Sequence, residues 1–233
     1  MGFIDTVVGF IQDGGKFMYP ILIVGAVGGA IATERFITLM RVRAANRSLW
    51  ERMQPVLVKG DFSAARAMTE KDSSTVGQLL QLGLARQGAV RRREDIEIAM
   101  EEGMMEIIPQ LEKRTAYVAL FASIATLLGL LGTIMGLIEA FSAVANANPA
   151  EKADLLSASI SVAMNTTAFG LMVAIPLLIT HAYLNSRTGE IVDSLEMASV
   201  KALNAITGST PRVHDVKSAT PDDDMDPVPA PAS

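Results

Sequence analysis

Thr126, Thr133, Asn165, Thr166 and Thr167 are polar side chains set inside long apolar runs. A hydroxyl donates one hydrogen bond and accepts two, and an amide does both. Such groups can hold water or bond to a carboxylate in surroundings where hydrocarbon can do neither. Ionisable residues inside a membrane mark ion and proton paths, yet neither long run has a central Asp, Glu or His. Glu139 falls near one end of its run and His181 near the end of the other. The chain can therefore furnish hydroxyls to a membrane conduit, but neither run holds a carboxylate at mid-membrane.

Spacing gives these groups a face. Ala122, Thr126, Gly129, Thr133, Gly136 and Ala140 recur at steps of four and three, and so do Ser159, Ala163, Thr167, Gly170 and Ala174. That period places each set on one side of a helix. Small and hydroxyl residues in membrane helices concentrate where helices touch. Gly129, Gly132, Gly136 and Gly170 thus read as close-packing points, satisfied between subunits of an oligomer, and Pro176 as a bend that neighbours accommodate. A simpler role stays open for the hydroxyls, because Ser and Thr in such helices often bond back to their own backbone. For Thr126 and Ser159 the two readings weigh equally. Glu139 is either a channel-mouth residue or a solvated one, and His181 reads as interfacial. Thr133 and Thr167 are expected to face the oligomer interior at similar depth.

The elements that must carry these residues are three spans and their helical extensions. A span needs about 20 apolar residues. Residues 16–40 form the first if Glu34 and Arg35 sit at headgroup level, where an Arg can snorkel. Residues 114–144 form the second and 155–184 the third. Between the first two lie twelve basic residues, Arg41 to Lys113, with Arg114 at the start of the second, whereas the 145–154 connection holds only Lys152. Positive charge marks the cytoplasmic side, so the N-terminus is outside and the C-terminus inside. Residues 1–15 read as an amphipathic helix on the outer surface. Residues 41–113 read as cytoplasmic helices. One ends at Pro55, others are capped by Asp61 and by Ser73-Ser74, and a last one starts near Arg91-Arg92-Arg93. Pro109 is the sole clear breaker before the second span, so one very long helix is expected from the cytoplasm through the membrane. Residues 185–207 continue the third span as a cytoplasmic helix, and the Pro- and Asp-rich residues 208–233 read as a disordered tail.

Composition agrees with this all-α membrane class. Half the residues are hydrophobic, mean hydropathy is +0.33 and only 19% are charged, against about 25% in soluble domains. Zero cysteine excludes disulfides and thiolate sites. No nucleophile–base pair, metal cluster or phosphate loop suggests an enzyme, no metal or other cofactor is implied, and no basic patch suggests nucleic acid. The start, Met1-Gly2-Phe3-Ile4-Asp5, has no basic segment, which disfavours a cleaved signal peptide.

Residues 129–141 (GLLGTIMGLIEAF) and 166–176 (TTAFGLMVAIP), together with Glu34-Arg35 and Gly60-Asp61-Phe62, resemble the paired signatures of the MotA/TolQ/ExbB proton-channel family. The resemblance covers about residues 18–205, and three spans with the N-terminus outside resemble its ExbB/TolQ branch. It implies a homopentamer in the bacterial inner membrane, surrounded by lipid and enclosing an ExbD/TolR-like single-span partner that carries a membrane aspartate. It further implies that proton motive force does mechanical work on a TonB- or TolA-like protein, for outer-membrane transport or envelope maintenance. On the family match, Thr133 and Thr167 line the proton path, with Thr166, Asn165 and Thr126 beside them. Many ExbB/TolQ members have a glutamate five residues before the threonine matching Thr167. Here Val162 stands there, so no relay role passes to that position. Two other readings are a pore-less scaffold or assembly factor and a stator for another motility or envelope machine. A secondary transporter is disfavoured, since repeated halves and broken helices are both missing.

Overall fold

Helices make up the regular structure of the residues that the computed structural model describes, 2, 15–87 and 93–208. They are α1 (Met18–Val58), α2 (Phe62–Glu70), α3 (Thr75–Arg86), α4 (Arg93–Glu112), α5 (Thr115–Asn146) and α6 (Lys152–Gly208). The stretches Met18–Val58, Arg93–Ala145 and Lys152–Gly208 are long and apolar enough to cross a membrane. Their outer faces expose large apolar side chains such as Leu127, Phe141, Met164 and Ile179. A continuous apolar surface of this kind needs lipid or protein cover, and the chain is a multi-pass membrane protein.

Most helix ends follow local chemistry. α1 stops at Gly60, whose φ of +74 takes the left-handed turn that side chains avoid. The Gly60 N–H donates to the Leu57 carbonyl and the Asp61 N–H to that of Val56, the paired bonds of a Schellman motif. The Asp61 carboxylate then accepts from the Ala64 N–H at 3.0 Å to start α2, and the Ser74 hydroxyl accepts from Gly77 N–H at 3.1 Å to start α3. Two expectations fail here. Pro55 lies inside α1, so a separate helix ending there is replaced by one continuous helix running out of the first span. Pro109 likewise lies inside α4, and the break comes at Lys113–Arg114, where Arg114 adopts φ 67. The single very long helix is therefore two helices with a joint between them.

The molecule has a membrane half and a soluble half that share one apolar core. In the soluble half Leu49, Met53, Leu79, Leu80, Met100 and Leu195 are fully shielded where α1, α3, α4 and α6 meet. Asn46 locks α1 to α3: its amide exchanges hydrogen bonds with the Thr75 hydroxyl at 2.7 and 2.9 Å and accepts from the Val76 N–H at 3.2 Å. Asn46→Ala should cost about 1–3 kcal/mol, the usual penalty for leaving buried polar groups unpaired. Thermal unfolding of the detergent-solubilised chain reads this directly, and an unchanged midpoint would remove the lock.

In the membrane half α1 packs against the α5–α6 pair through Gly25 and Gly28. A Cβ on Gly25 would lie 2.8 Å from Val173 Cγ1, and one on Gly28 would lie 2.9 Å from Leu177 and 3.1 Å from Phe121. The expected outer-surface helix over 1–15 and the expected tail over 208–233 fall outside the described residues, apart from Gly2, Gly15 and Gly208. Arg91 and Arg92 also fall outside, while Arg93 opens α4 and donates to the Asn204 amide oxygen at 3.0 Å.

Candidate functional site

α5 and α6 are joined by a short turn over residues 147–151 and run back antiparallel to each other. Their small residues let the two backbones touch. A Cβ on Gly129 would stand 3.3 Å from both Gly170 Cα and Thr167 Cα, and one on Gly170 would stand 2.7 Å from the Ala125 carbonyl oxygen. Further along, Gly136 faces Ala163 and Gly132 faces the Thr166 methyl. The sequence reading assigned these faces to contacts between subunits. They are covered instead by the partner helix of the same chain, because the short turn brings the two stripes together.

Within this seam the hydroxyls separate by role. Thr167 donates across it, to the Gly129 carbonyl at 2.8 Å. In the helix ladder that carbonyl is also the acceptor for the Thr133 backbone N–H, so the two threonines meet at one oxygen. The Thr133 hydroxyl donates to the Leu130 carbonyl of its own helix at 2.6 Å. Thr166 is buried, and its hydroxyl donates to the Val162 carbonyl at 2.9 Å. Thr126 is exposed and donates to the Ala122 carbonyl at 3.2 Å. Thr133, Asn165 and Thr167 are half-buried, whereas Glu139 is exposed at the far end of α5. Pro176 is exposed on α6, and His181 is half-buried one turn further on.

The register sets the depths. Gly132 opposes Thr166, and Gly129 opposes Thr167 and Gly170. Thr133 is therefore level with Asn165 and Thr166, and Thr167, the next residue of α6, lies within about 3 Å of that level along the axis. A hydroxyl that donates to backbone keeps its lone pairs, so the seam can offer acceptors to water from both helices at nearly one level. Among the described residues no cluster of His, Asp or Glu is arranged to hold a metal ion.

Where the helices leave the apolar zone, aromatic and charged groups tie α1 to α6. The Phe36 and Tyr183 rings stack with centroids 5.9 Å apart, and Arg43 pairs with Glu190 at 3.1 Å. Arg187 donates to the Tyr183 hydroxyl at 2.9 Å and pairs with Glu190 at 2.8 Å. The Tyr183 bond first, and Glu190 next, hold its guanidinium pKa above the ordinary value. These exposed pairs contribute little stability singly and serve to mark the boundary. Sequence reasoning missed the packing of Gly25 and Gly28 on α1. Their spacing to Ala32 is helical and was the available signal.

Residues 71–197 match the sequence profile of the MotA/TolQ/ExbB proton channel family. A protein of Methanothermobacter thermautotrophicus described as a biopolymer transport protein ExbB homolog is 27% identical over 203 residues, spanning 84% of this chain and 69% of its own length. The Tol-Pal system protein TolQ of Haemophilus influenzae is 34% identical over 93 residues, 40% of either chain. The biopolymer transport protein exbB1 of Vibrio cholerae is 47% identical over 57 residues, 24% of this chain and 25% of that one. In solved structures, a chain of C. jejuni MotAB superposes with a TM-score of 0.60 at 18% identity, covering 92% of this chain and 89% of its own. At that identity the likeness is one of fold.

Proposed function

Because the chain belongs to the MotA/TolQ/ExbB proton channel family, we propose that it is the ExbB/TolQ-like subunit of an inner-membrane motor driven by protons. The observation that carries this reading is the α5–α6 seam, where the Thr167 hydroxyl donates to the Gly129 carbonyl and the Thr133 hydroxyl to the Leu130 carbonyl beside it, and no carboxylate lies at the same depth. Such a seam can solvate a proton carrier but cannot be one. An ExbD/TolR-like single-span partner with a membrane aspartate supplies the missing group. Copies of this chain, five by analogy with the family, surround that partner, with Thr133, Thr167, Asn165 and Thr126 toward the path, the buried Thr166 behind them, and Glu139 toward its outer mouth. Basic residues on the soluble extension of α1, Arg41 to Arg52, favour an N-out, C-in orientation. Work is then passed to a TonB- or TolA-like protein. The likeness in fold to MotAB supports a second destination, a stator for another envelope or motility machine.

Proteoliposomes carrying a pH dye test the division of labour. The chain alone should conduct protons at least tenfold more slowly than the complex with its partner. Replacing the partner's membrane aspartate by asparagine should return the complex to that low rate. Rapid flux through the chain alone, at the rate of the complex, would make the partner's carboxylate dispensable and sink the proposal.

A further inference from the structure

Arg35 is a guanidinium almost wholly shielded from solvent, 5% exposed, at the point where α1 passes the joint between α4 and α5. It donates to the Leu111 carbonyl in the last turn of α4. The final carbonyls of a helix have no intrahelical partner and carry the negative end of its dipole, so a buried cation is well placed there. Next to it Glu34 pairs with Arg114 at 3.8 Å and accepts from the Thr38 hydroxyl at 3.2 Å. Arg114 is the joint itself, a non-glycine residue at φ 67, which is strained for an L side chain. The Arg35 Nε and the Thr115 hydroxyl are buried with no hydrogen-bond partner in the protein. Backbone strain and unpaired polar atoms thus collect where the soluble half meets the membrane half.

We propose that Arg35 is a positioning residue that holds α4 at a set angle to α5, so that movement of the α5–α6 seam reaches the soluble helices. Without that hold the Arg114 joint absorbs the movement. The role of the movement rests on the motor reading, whereas the hold on the joint stands without it.

Two substitutions separate donation from space-filling. Met fills the buried volume without donors, and Lys keeps a charged donor but buries less comfortably. A packing role ranks Arg35→Met above Arg35→Lys, and a donor role reverses that order. The full chain with its partner in nanodiscs gives two readouts. Hydrogen exchange at the amides of residues 111–117 should speed at least tenfold in Arg35→Met and no more than threefold in Arg35→Lys, with residues 129–133 unchanged in both. The second readout uses the absence of cysteine: a fluorophore on Met105→Cys, exposed on α4, is followed while a proton gradient is imposed. Its response should vanish in Arg35→Met, return in Arg35→Lys, and leave proton flux within twofold of the parent in both. Wild-type exchange in Arg35→Met, or a Lys variant worse than Met, overturns the hold. Faster exchange with an undiminished probe response overturns the transmission. A parent complex with no proton flux would sink the motor reading, while the exchange ranking still decides the role of Arg35.

Discussion

Thr167→Val should lower proton-driven function at least tenfold while leaving the assembled protein intact, and Thr167→Ser should stay within about threefold of the parent. Valine keeps the shape and loses the hydroxyl that crosses to the Gly129 carbonyl at 2.8 Å. One neutral hydrogen bond contributes about 0.5–1.5 kcal/mol net, too little to unfold a helix pair packed backbone to backbone. A tenfold drop in rate needs only about 1.4 kcal/mol at the barrier. Losing a polar group beside the carboxylate proposed for the partner, in low dielectric, readily reaches that. Thr133→Val should act in the same direction and less strongly, because its hydroxyl is engaged by the Leu130 carbonyl of its own helix. Flux of the reconstituted complex is the measurement. Equal behaviour of the Val and Ser variants would reduce Thr167 to packing.

Gly170→Leu should remove the folded protein from the membrane altogether. A Cβ at that site meets the Ala125 carbonyl oxygen at 2.7 Å and Gly129 Cα at 3.0 Å, and both are backbone that yields only if the helices separate. Overpacking costs about 1–3 kcal/mol even where side chains can adjust, and here none can. Against a typical total of about 5–15 kcal/mol, forcing α5 from α6 over several turns is decisive. Gly132→Leu should be nearly as harmful, although its first obstacle is the Thr166 methyl rather than backbone. Gly29→Ala is the control, since nothing lies within 4 Å of its added carbon. The measurement is the yield and native mass of detergent-solubilised protein. A Gly170→Leu variant of parental mass and yield would disprove the close approach.

Local chemistry made much of this fold readable. Asp61 and Ser74 cap helices because their side chains suit that task wherever they stand, and a period of three and four residues marks a helix face without reference to anything else. What covers that face is a different matter. The stripes on α5 and α6 fit a neighbouring subunit as well as each other, and the choice depends on the turn over residues 147–151. The same turn sets the register, so the Thr167 bond to the Gly129 carbonyl was hidden too. The Arg114 joint gave no signal, because left-handed backbone usually announces itself with glycine and here a residue of ordinary helix preference is held in place by neighbours from α1. Pro55 and Pro109 pointed the other way: proline weakens a helix from within, but each is overruled by apolar packing of the flanking turns, Met53 and Leu57 in one case, Ile107 and Leu111 in the other.

α6 runs unbroken from Lys152 to Gly208. At 1.5 Å per residue its 57 residues make a rod about 85 Å long. The Thr167 contact sits near one end, with about 60 Å of helix between it and Gly208. The rod is therefore a lever with its short arm in the seam. A tilt of about 5° there carries the Gly208 tip through about 5 Å, close to the pitch of a helical turn. The short arm of about 22 Å moves through only about 2 Å in the same tilt, so a modest shift at the seam is enlarged more than twofold at the far end.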